Sequence, residues 1–377
     1  MSVTLNILRR FHVLPPEETM LNPGTFFFLR FVMISIFGSL TMASSILHVI
    51  HTVVSGQYNR IDTDLTFIVS LLTCYVAVWA YLIKMKHVTE MYTFLSDFNT
   101  FGKPKDFDIN NDNFNKYSRM HYIYLELLVC ILILGSNIFD GKNCRNENVR
   151  FNLTEVCGLV TYTWLPFDID YTPVREIYLL LQILGTHHLY MLVGLMAWQV
   201  FEVVQHIVVR IRDIKHVILE ALSQEDPLVR KKQFHFAIRY HNALFGLVDR
   251  LNEVFSIFMF THMVVASIIM GIGAFTFLHS KSLTTIMVCT GWFWGLFMDC
   301  ISGQRLQDES TELAVAVYNA PWYECNEELK KDILFVLHKC QKCQVLHAGA
   351  FGIMDRPMFL AVLKLTYSYI TLLGKAK

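Results

Sequence analysis

Long apolar stretches separated by polar segments dominate the pattern along this chain. A hydrocarbon core about 30 Å thick needs roughly 20 mostly apolar residues per helix. Six clear stretches run from Thr25 to Ile50, Leu65 to Ile83, Tyr122 to Phe139, Ile177 to Val204, Val254 to Leu278 and Leu283 to Phe297. A seventh, Pro357 to Leu373, has the length but is interrupted by Lys364. The pattern predicts an all-α membrane protein with seven transmembrane helices.

Composition also places much of the chain in contact with lipid. Apolar residues make up 54% of the 377 residues, charged residues make up only 17%, and the mean hydropathy is +0.39. An average soluble domain carries about 25% charged residues. The formal net charge is zero, so no overall basic field indicates a nucleic acid partner, and membrane lipid is the expected surrounding.

Lys and Arg are distributed unequally between the segments that separate the seven stretches. Segments on the side of the N-terminus carry 21 of them, and segments on the other side carry 8. Because cytoplasmic segments are enriched in Lys and Arg, this asymmetry predicts a cytoplasmic N-terminus and an extracellular C-terminus. Met1 to Met20 is polar and contains Pro15 and Pro16, so we expect no cleavable signal peptide.

This topology divides the chain into seven parts. They are a cytoplasmic N-terminus (1–24), spans 1 to 4 with an extracellular loop at 140–176 (25–204), a cytoplasmic helical segment (205–253), spans 5 and 6 (254–297), cytoplasmic anchor helices (298–356), span 7 (357–373) and an extracellular tail (374–377). Helical spacing of apolar residues predicts a break between Ser223 and Pro227 and a helix from Asp308 to Lys342. So much apolar surface outside the membrane favours subunit assembly over simple packing of these helices.

The predicted extracellular loop contains two cysteines and a glycosylation sequon. Cys144 and Cys157 are candidates for a disulfide, although spacing alone leaves their pairing open. Asn152 begins the sequon Asn-Leu-Thr. Cys340 and Cys343 form a C-x-x-C pair, but the second pair that a zinc site needs is missing, so no metal is expected. The sequence motifs of nucleotide, hydrolase and metalloprotease catalysis are absent, so we expect neither an enzyme nor a cofactor.

The last apolar stretch contains several polar residues. Lys364 lies in its middle, Ser368 and Thr371 follow, and Leu372 and Leu373 come last. A charge at this depth needs protein, a counter-charge or water around it. A water-filled pathway would explain the polar residues, with the two leucines as a hydrophobic constriction. An ordinary helix whose Ser and Thr bond to its own backbone explains them equally well.

Polar landmarks in the last 75 residues occur in a fixed order. They are Gly303-Gln-Arg-Leu, Tyr318-Asn-Ala-Pro-Trp-Tyr323, Gln341-Lys342, His347-Ala-Gly349, Leu363-Lys364 and Tyr367 to Leu373. The series resembles the C-terminal signature of the insect odorant receptors, and the chain also resembles this family in length, span number and orientation. It departs from the family at Cys343, where proline is usual. A gustatory receptor, the nearest relative, would be expected to have Gln where this chain has Leu373.

The resemblance implies one subunit of a tetrameric cation channel, whose last span lines the pore and whose cytoplasmic helices hold the subunits together. It places Lys364, Ser368, Thr371, Leu372 and Leu373 at the pore and gate. Assembly roles fall on Gln304, Tyr318, Trp322, Tyr323, Gln341 and Lys342. The short segment between spans 4 and 5 resembles that of the variable, odorant-binding subunits, which implies an odorant receptor coreceptor as partner in the plasma membrane of a sensory dendrite.

The resemblance also implies a cavity between the outer halves of spans 2, 3, 4 and 6. Helical spacing selects the faces that would line it. The predicted lining residues are Leu71, Cys74, Tyr75, Leu132, Gly135, Phe139, Ile183, Thr186, His187, Val288, Cys289 and Trp292. An apolar and aromatic wall of this kind suits a small volatile such as a phenol, indole, ester or alcohol. Plain helix packing is the alternative role for each of these positions.

Three other classes of function are compatible with a multi-span chain. A gustatory-type channel subunit is the nearest alternative. A G-protein-coupled receptor would need the opposite orientation. A transporter or membrane enzyme would show paired intramembrane carboxylates or an inverted repeat, and neither is evident in the sequence.

Overall fold

The computed structural model describes residues 2–16, 24–56, 61–280 and 283–375, and nearly all regular structure in these ranges is helical. The helices are α1 (Ser2–Arg10), α2 (Thr25–Val54), α3 (Ile61–Ile83), α4 (Met85–Ser96), α5 (Phe107–Leu134), α6 (Gly141–Phe151), α7 (Val174–Leu222), α8 (Pro227–Ser280), α9 (Leu283–Asn319), α10 (Glu327–Cys340) and α11 (Arg356–Lys375). A π-helical turn, Gly135–Asp140, joins α5 to α6. Strands β1 (His347–Ala348) and β2 (Gly352–Ile353) form an antiparallel hairpin between α10 and α11.

Six helices in these ranges are long and apolar enough to cross a membrane, namely α2, α3, α5, α7, α8 and α9. Helix α11, the seventh predicted span, has 20 residues, which is the length that crosses a hydrocarbon core of about 30 Å. The prediction of an all-α, multi-pass membrane protein is confirmed.

The two ends of the bundle differ in structure. One end, the disulfide side, carries the segment between α5 and α7, which is closed by a disulfide between Cys144 and Cys157 with a Cα–Cα distance of 5.7 Å. The other end, the anchor side, carries α10 and the hairpin. Helices α7 and α8 have 49 and 54 residues, which at 1.5 Å per residue makes them about 74 and 81 Å long. Both therefore extend beyond a bilayer on the anchor side.

Proline sets the helix boundaries on the anchor side. The predicted break between α7 and α8 is confirmed, because α7 ends at Leu222 and α8 begins at Pro227, where a missing N–H is tolerated. The predicted continuous helix from Asp308 to Lys342 is wrong. Helix α9 ends at Asn319, since the residue before Pro321 is disfavoured in helical conformation. Helix α10 then restarts after Asn326, whose side chain accepts a hydrogen bond from the Leu329 amide at 3.0 Å.

Helix α7 lies at the centre and packs against α2, α5, α8 and α9. It lies close to the backbone of α2 at Gly185. A Cβ on Gly185 would lie 2.6 Å from the amide nitrogen of Gly38 and 2.7 Å from the carbonyl carbon of Phe37. Small residues permit such close backbone contact between membrane helices.

Helices α2 and α5 expose apolar faces. On α5, side chains at helical spacing are 43% to 58% exposed, namely Ile123, Leu127, Ile131 and Leu134. Soluble monomers rarely expose a contiguous apolar stripe of this kind to water. This face is therefore suited to lipid.

The hairpin attaches the start of α11 to α9. The Met354 amide donates to the Leu346 carbonyl at 2.8 Å, and a Cβ on Gly303 would overlap the Met354 carbonyl oxygen. The Arg356 amide donates to Oε1 of Gln304 at 3.3 Å. The first turn of α11 is thus fixed against the extension of α9.

Candidate ligand-binding site

A cavity of about 70 Å³ lies among five of the long helices. Its wall consists of Cys74 from α3, Leu125, Leu128, Val129 and Leu132 from α5, Tyr190, Val193, Gly194 and Ala197 from α7, His262 from α8, and Met287, Val288, Gly291, Trp292 and Gly295 from α9. Nearly all of these side chains are apolar or aromatic. The site therefore suits a small ligand that binds mainly through dispersion and shape.

Helical periodicity and small residues create the space. The α5 residues recur at i, i+3, i+4 and i+7, so they face the cavity as one stripe. Glycine leaves room where helices are close. A Cβ on Gly194 would lie 2.7 Å from Leu125 Cδ2, and a Cβ on Gly295 would lie 2.6 Å from His262 Cε1.

The polar groups of the wall are few. Nδ1 of His262 and Oδ2 of Asp299 share a hydrogen bond of 2.7 Å, and both side chains are buried. The indole Nε1 of Trp292 donates to the Ser70 hydroxyl at 3.0 Å. The Tyr190 hydroxyl is buried without a partner in hydrogen-bond geometry within the described chain. The sequence analysis missed His262, Asp299 and Tyr190, although a lone His within the fifth apolar stretch and an Asp two residues after the sixth are readable signals.

Four of the twelve predicted lining residues are in this wall: Cys74, Leu132, Val288 and Trp292. The other eight lie elsewhere in the structure. Leu71 and Thr186 are fully buried, Gly135 is in the π-helical turn, Ile183 is half-buried and Phe139 is 57% exposed.

Tyr75, His187 and Cys289 have other partners. The Tyr75 hydroxyl donates to the Ser35 carbonyl of α2 at 2.7 Å, and the Cys289 thiol faces the Ile269 carbonyl at 3.5 Å. Nε2 of His187 is 2.9 Å from Oε2 of Glu126 on α5. Each of these side chains is hydrogen-bonded to a neighbouring helix, and none of the three is part of the cavity wall.

The predicted pore residues lie on α11. The side chains of Lys364, Ser368, Thr371 and Leu372 are exposed in the single chain. The hydroxyl of Ser368 donates to the Lys364 carbonyl at 3.0 Å, and that of Thr371 donates to the Ser368 carbonyl at 2.9 Å. The Leu373 side chain lies outside the described part of the structure. This face is free for water or for another subunit.

The predicted assembly residues lie on the anchor side. Tyr318 and Tyr323 are each 65% exposed, Gln341 and Lys342 are exposed as well, and Trp322 is half-buried with its Nε1 donating to the Tyr318 carbonyl at 2.9 Å. Gln304 instead faces α11. Most of these residues therefore present side chains at the surface.

A buried arginine holds the anchor side together. Arg210 of α7 is 1% exposed, and its Nη2 donates to the carbonyls of Leu95 and Asp97 at 3.0 and 3.2 Å. Its Nη1 donates to the Tyr240 hydroxyl at 3.4 Å, and burial raises the pKa of Tyr240 to about 12. The guanidinium thus links the end of α4 to both α7 and α8.

Histidine and cysteine also meet on the anchor side. Nε2 of His241 and Sγ of Cys340 are 3.4 Å apart. Burial lowers the pKa of His241 to about 4 and raises the pKa of Cys340 to about 11. No group of three or more His, Cys, Asp or Glu side chains that could hold a metal ion is found among the residues that the structure describes.

A second buried histidine cluster lies on the disulfide side. His48 of α2 contacts Oδ2 of Asp64 through Nδ1 at 2.7 Å and Oε2 of Glu155 through Nε2 at 2.8 Å. The three side chains come from α2, α3 and the segment between α6 and α7. Asn152, the sequon residue, is exposed just after α6.

Membrane-crossing helices around a largely apolar cavity are the architecture of a multi-pass membrane protein with a candidate site for a small ligand. The sequence profile described as 7tm odorant receptor matches residues 57–367, and the chain belongs to this family. The prediction drawn from the C-terminal motifs is confirmed.

Individual proteins that are similar to this chain are also named as odorant receptors or coreceptors. The chain is 25% identical over 161 residues to the "Odorant receptor coreceptor" of Aedes aegypti, covering 41% of this chain and 34% of that protein. It is 24% identical over 178 residues to "Odorant receptor 22c" of Drosophila melanogaster, covering 46% and 44%. The matches therefore span between a third and a half of the length of these relatives.

The fold is similar to a solved insect receptor over its whole length. The insect olfactory receptor OR5 from Machilis hrabei, in complex with eugenol, matches with a TM-score of 0.80 at 13% identity and covers 99% of both chains. At this identity the likeness concerns the fold alone.

Proposed function

We propose that this chain is the odorant-binding subunit of a heteromeric, ligand-gated, non-selective cation channel that senses a small volatile apolar or aromatic compound. The observation that carries the proposal is the largely apolar cavity between α3, α5, α7, α8 and α9. The structure of OR5 with eugenol, a small aromatic compound, supports this class of ligand.

The partner would be an odorant receptor coreceptor, in a tetramer at the plasma membrane of a sensory dendrite. Exposed aromatic and apolar side chains on the anchor side support assembly there, since they would otherwise face water. They include Tyr318, Tyr323, Leu334 and Phe335, each 54% to 65% exposed. The charge asymmetry supports a cytoplasmic anchor side, with an extracellular disulfide side where Asn152 could be glycosylated.

Gating would follow from a population shift. A ligand that packs better in a rearranged cavity favours the state in which α11 moves and the constriction near Leu372 and Leu373 becomes hydrated. The ligand can shift this equilibrium only by its differential affinity for the two states. The exposed Lys364, Ser368 and Thr371 would then line the water-filled pathway.

The test is whole-cell current during a panel of small volatiles with G-protein signalling blocked. Three cell lines express this chain alone, this chain with an insect odorant coreceptor, and the coreceptor alone. Odorant-evoked cation current that needs both chains is the expected result. Silence across the panel, with both proteins at the surface, or a response that disappears under the G-protein block, would contradict the proposal.

A further inference from the structure

The imidazole of His262 is the polar group best placed to meet a ligand in the cavity. Its Nδ1 is engaged by Asp299 at 2.7 Å. Its other edge faces Gly295, where a Cβ would lie 2.6 Å from Cε1 and 3.0 Å from Nε2. Gly295 is itself part of the cavity wall, so the missing side chain gives Nε2 access to the cavity. Within the described residues, Nε2 has no hydrogen-bond partner.

The surroundings of this pair decide where its hydrogens lie. His262 packs against the rings of Phe258 and Trp292, with centroids 5.4 and 5.2 Å away, and both members of the pair are buried. In the described chain His262 is the one ion-pair partner of Asp299. A carboxylate beside a neutral imidazole would leave a net negative charge in this apolar site, which is costly.

A His262–Asp299 pair without net charge carries two hydrogens. One lies between Nδ1 and Oδ2, and the other is either on Oδ1 of Asp299 or on Nε2 of His262. Oδ1 of Asp299 is buried without a hydrogen-bond partner in the described chain, so a hydrogen there would be an unsatisfied donor. Nε2 of His262 borders the cavity and can donate to whatever occupies it. The hydrogen therefore belongs on Nε2, whether the proton between the two residues sits on Nδ1 or on Oδ2.

Tyr190 is a second residue of the cavity wall that carries a hydrogen-bond donor, its hydroxyl. The hydroxyl is buried and lacks a partner in hydrogen-bond geometry among the described residues. The Ser70 hydroxyl, which accepts from Trp292 at 3.0 Å, interacts with it in a geometry outside that of a regular hydrogen bond. A ligand atom that accepts hydrogen bonds would satisfy both of these donors.

We infer that the cavity selects volatiles that carry a hydrogen-bond acceptor, such as a ketone, aldehyde or ester oxygen, and that His262 Nε2–H, held by Asp299, and the Tyr190 hydroxyl receive it. This inference rests on the proposed function, and it adds a polar specificity that the apolar wall alone would not provide.

Two matched pairs of volatiles test the inference in cells that express this chain with a coreceptor. Acetophenone carries a carbonyl oxygen where isopropylbenzene carries a methyl group. Phenol and anisole differ in the hydroxyl hydrogen, while both keep an oxygen acceptor. Each compound is measured as an activator or as a competitive inhibitor of the odorant-evoked current.

We expect acetophenone to be about 3- to 10-fold more potent than isopropylbenzene, the range that one net hydrogen bond supplies. His262→Phe keeps a planar ring but removes the donor, so it should bring this ratio towards one. Tyr190→Phe removes a single oxygen and should lower the ratio in part. His188→Phe replaces a buried histidine on α7 that is outside the cavity wall, and it should leave the ratio unchanged.

The outcomes separate this inference from the proposed function. Absence of any odorant-evoked current in the unmodified pair of chains contradicts the proposed function itself. Robust currents with equal potency of acetophenone and isopropylbenzene, or a ratio that neither variant changes, overturn the inference alone. A strong preference for phenol over anisole, lost in His262→Phe, would show that Nε2 accepts rather than donates, and would also overturn it. If His262→Phe fails to reach the surface, the ratio in the unmodified chain and in Tyr190→Phe decides.

Discussion

The contact between α2 and α7 at Gly185 should be intolerant of a single methyl group. In Gly185→Ala the new Cβ would lie 2.6 to 2.8 Å from three backbone atoms of Phe37 and Gly38. Carbon atoms in contact are normally about 3.5–4.0 Å apart, so the two helices would have to separate by roughly 1 Å. Backbone atoms cannot escape by changing rotamer, and the separation would open the packing along both helices.

Two opposing contributions set the expected magnitude. Alanine is favoured over glycine inside a helix by about 1 kcal/mol. Overpacking costs about 1–3 kcal/mol and occasionally more. Because the overlap at Gly185 is with backbone, we take the upper part of this range and expect a net destabilisation of about 2 kcal/mol.

Thermal unfolding of the purified chain in detergent measures the effect, and two other glycines provide controls. Gly246 of α8 has nothing within 4 Å of its Cβ position, so Gly246→Ala should leave Tm unchanged or raise it. At Gly38 the nearest atoms are Leu189 Cδ1 at 2.5 Å and the Tyr75 hydroxyl at 2.7 Å. These are ends of side chains that can move, so Gly38→Ala should fall between the other two. A Tm for Gly185→Ala equal to or above that of Gly246→Ala would refute the reasoning.

Three further predictions concern stability. Arg210→Met should lower stability by about 2–4 kcal/mol, because it leaves the buried carbonyls of Leu95 and Asp97 without a donor; an unchanged Tm would contradict this role. Cys157→Ser should lower stability by about 3 kcal/mol, because the disulfide that it removes links two cysteines 13 residues apart and restricts the unfolded chain. Added reductant should then have no further effect on the Tm of this variant. The pKa of His241 is lowered from 6.5 to about 4 by burial, so the unfolded chain binds the proton more readily and stability falls as the pH drops from about 6.5 to 4. His241→Phe should make Tm less sensitive to pH in this window, and an identical pH profile would count against the assignment.

The membrane-spanning framework could be predicted because it depends on features that sequence displays directly. An apolar stretch of about 20 residues can hardly be anything but a spanning helix, and Pro227 indicated the break between α7 and α8. Pro321 was an equally readable signal, and the uninterrupted helix predicted across it was the principal error on the anchor side. The pairing of Cys144 with Cys157 was left open because spacing does not report geometry.

On α5 and α7, periodicity predicted the faces of the cavity better than its depth in the membrane. On α5 the predicted residues Leu132, Gly135 and Phe139 continue the stripe that carries Leu125 and Leu128, but most of the cavity lies about two turns nearer the anchor side. On α7 the same displacement separates the predicted set, Ile183 to His187, from the observed wall, Tyr190 to Ala197. A repeat of 3.6 residues specifies which side of a helix is buried, not which turn. Depth depends on where glycines such as Gly194 and Gly295 leave room, and that requires the positions of neighbouring helices.

Helix α11 packs along α8 and is hydrogen-bonded to its surroundings at its first turn, and these first-turn contacts restrict how it can move. Its first turn is held by the hairpin, by the Gly303 contact and by Gln304, so it cannot translate without breaking them. A tilt of the helix axis about the first turn requires none of these contacts to break. For a 20-residue helix about 30 Å long, a tilt of roughly 10° moves the far end by about 5 Å while the first turn shifts by less than about 1 Å. Displacement of α11 would therefore grow along its length and be greatest beside Leu372, near the disulfide side.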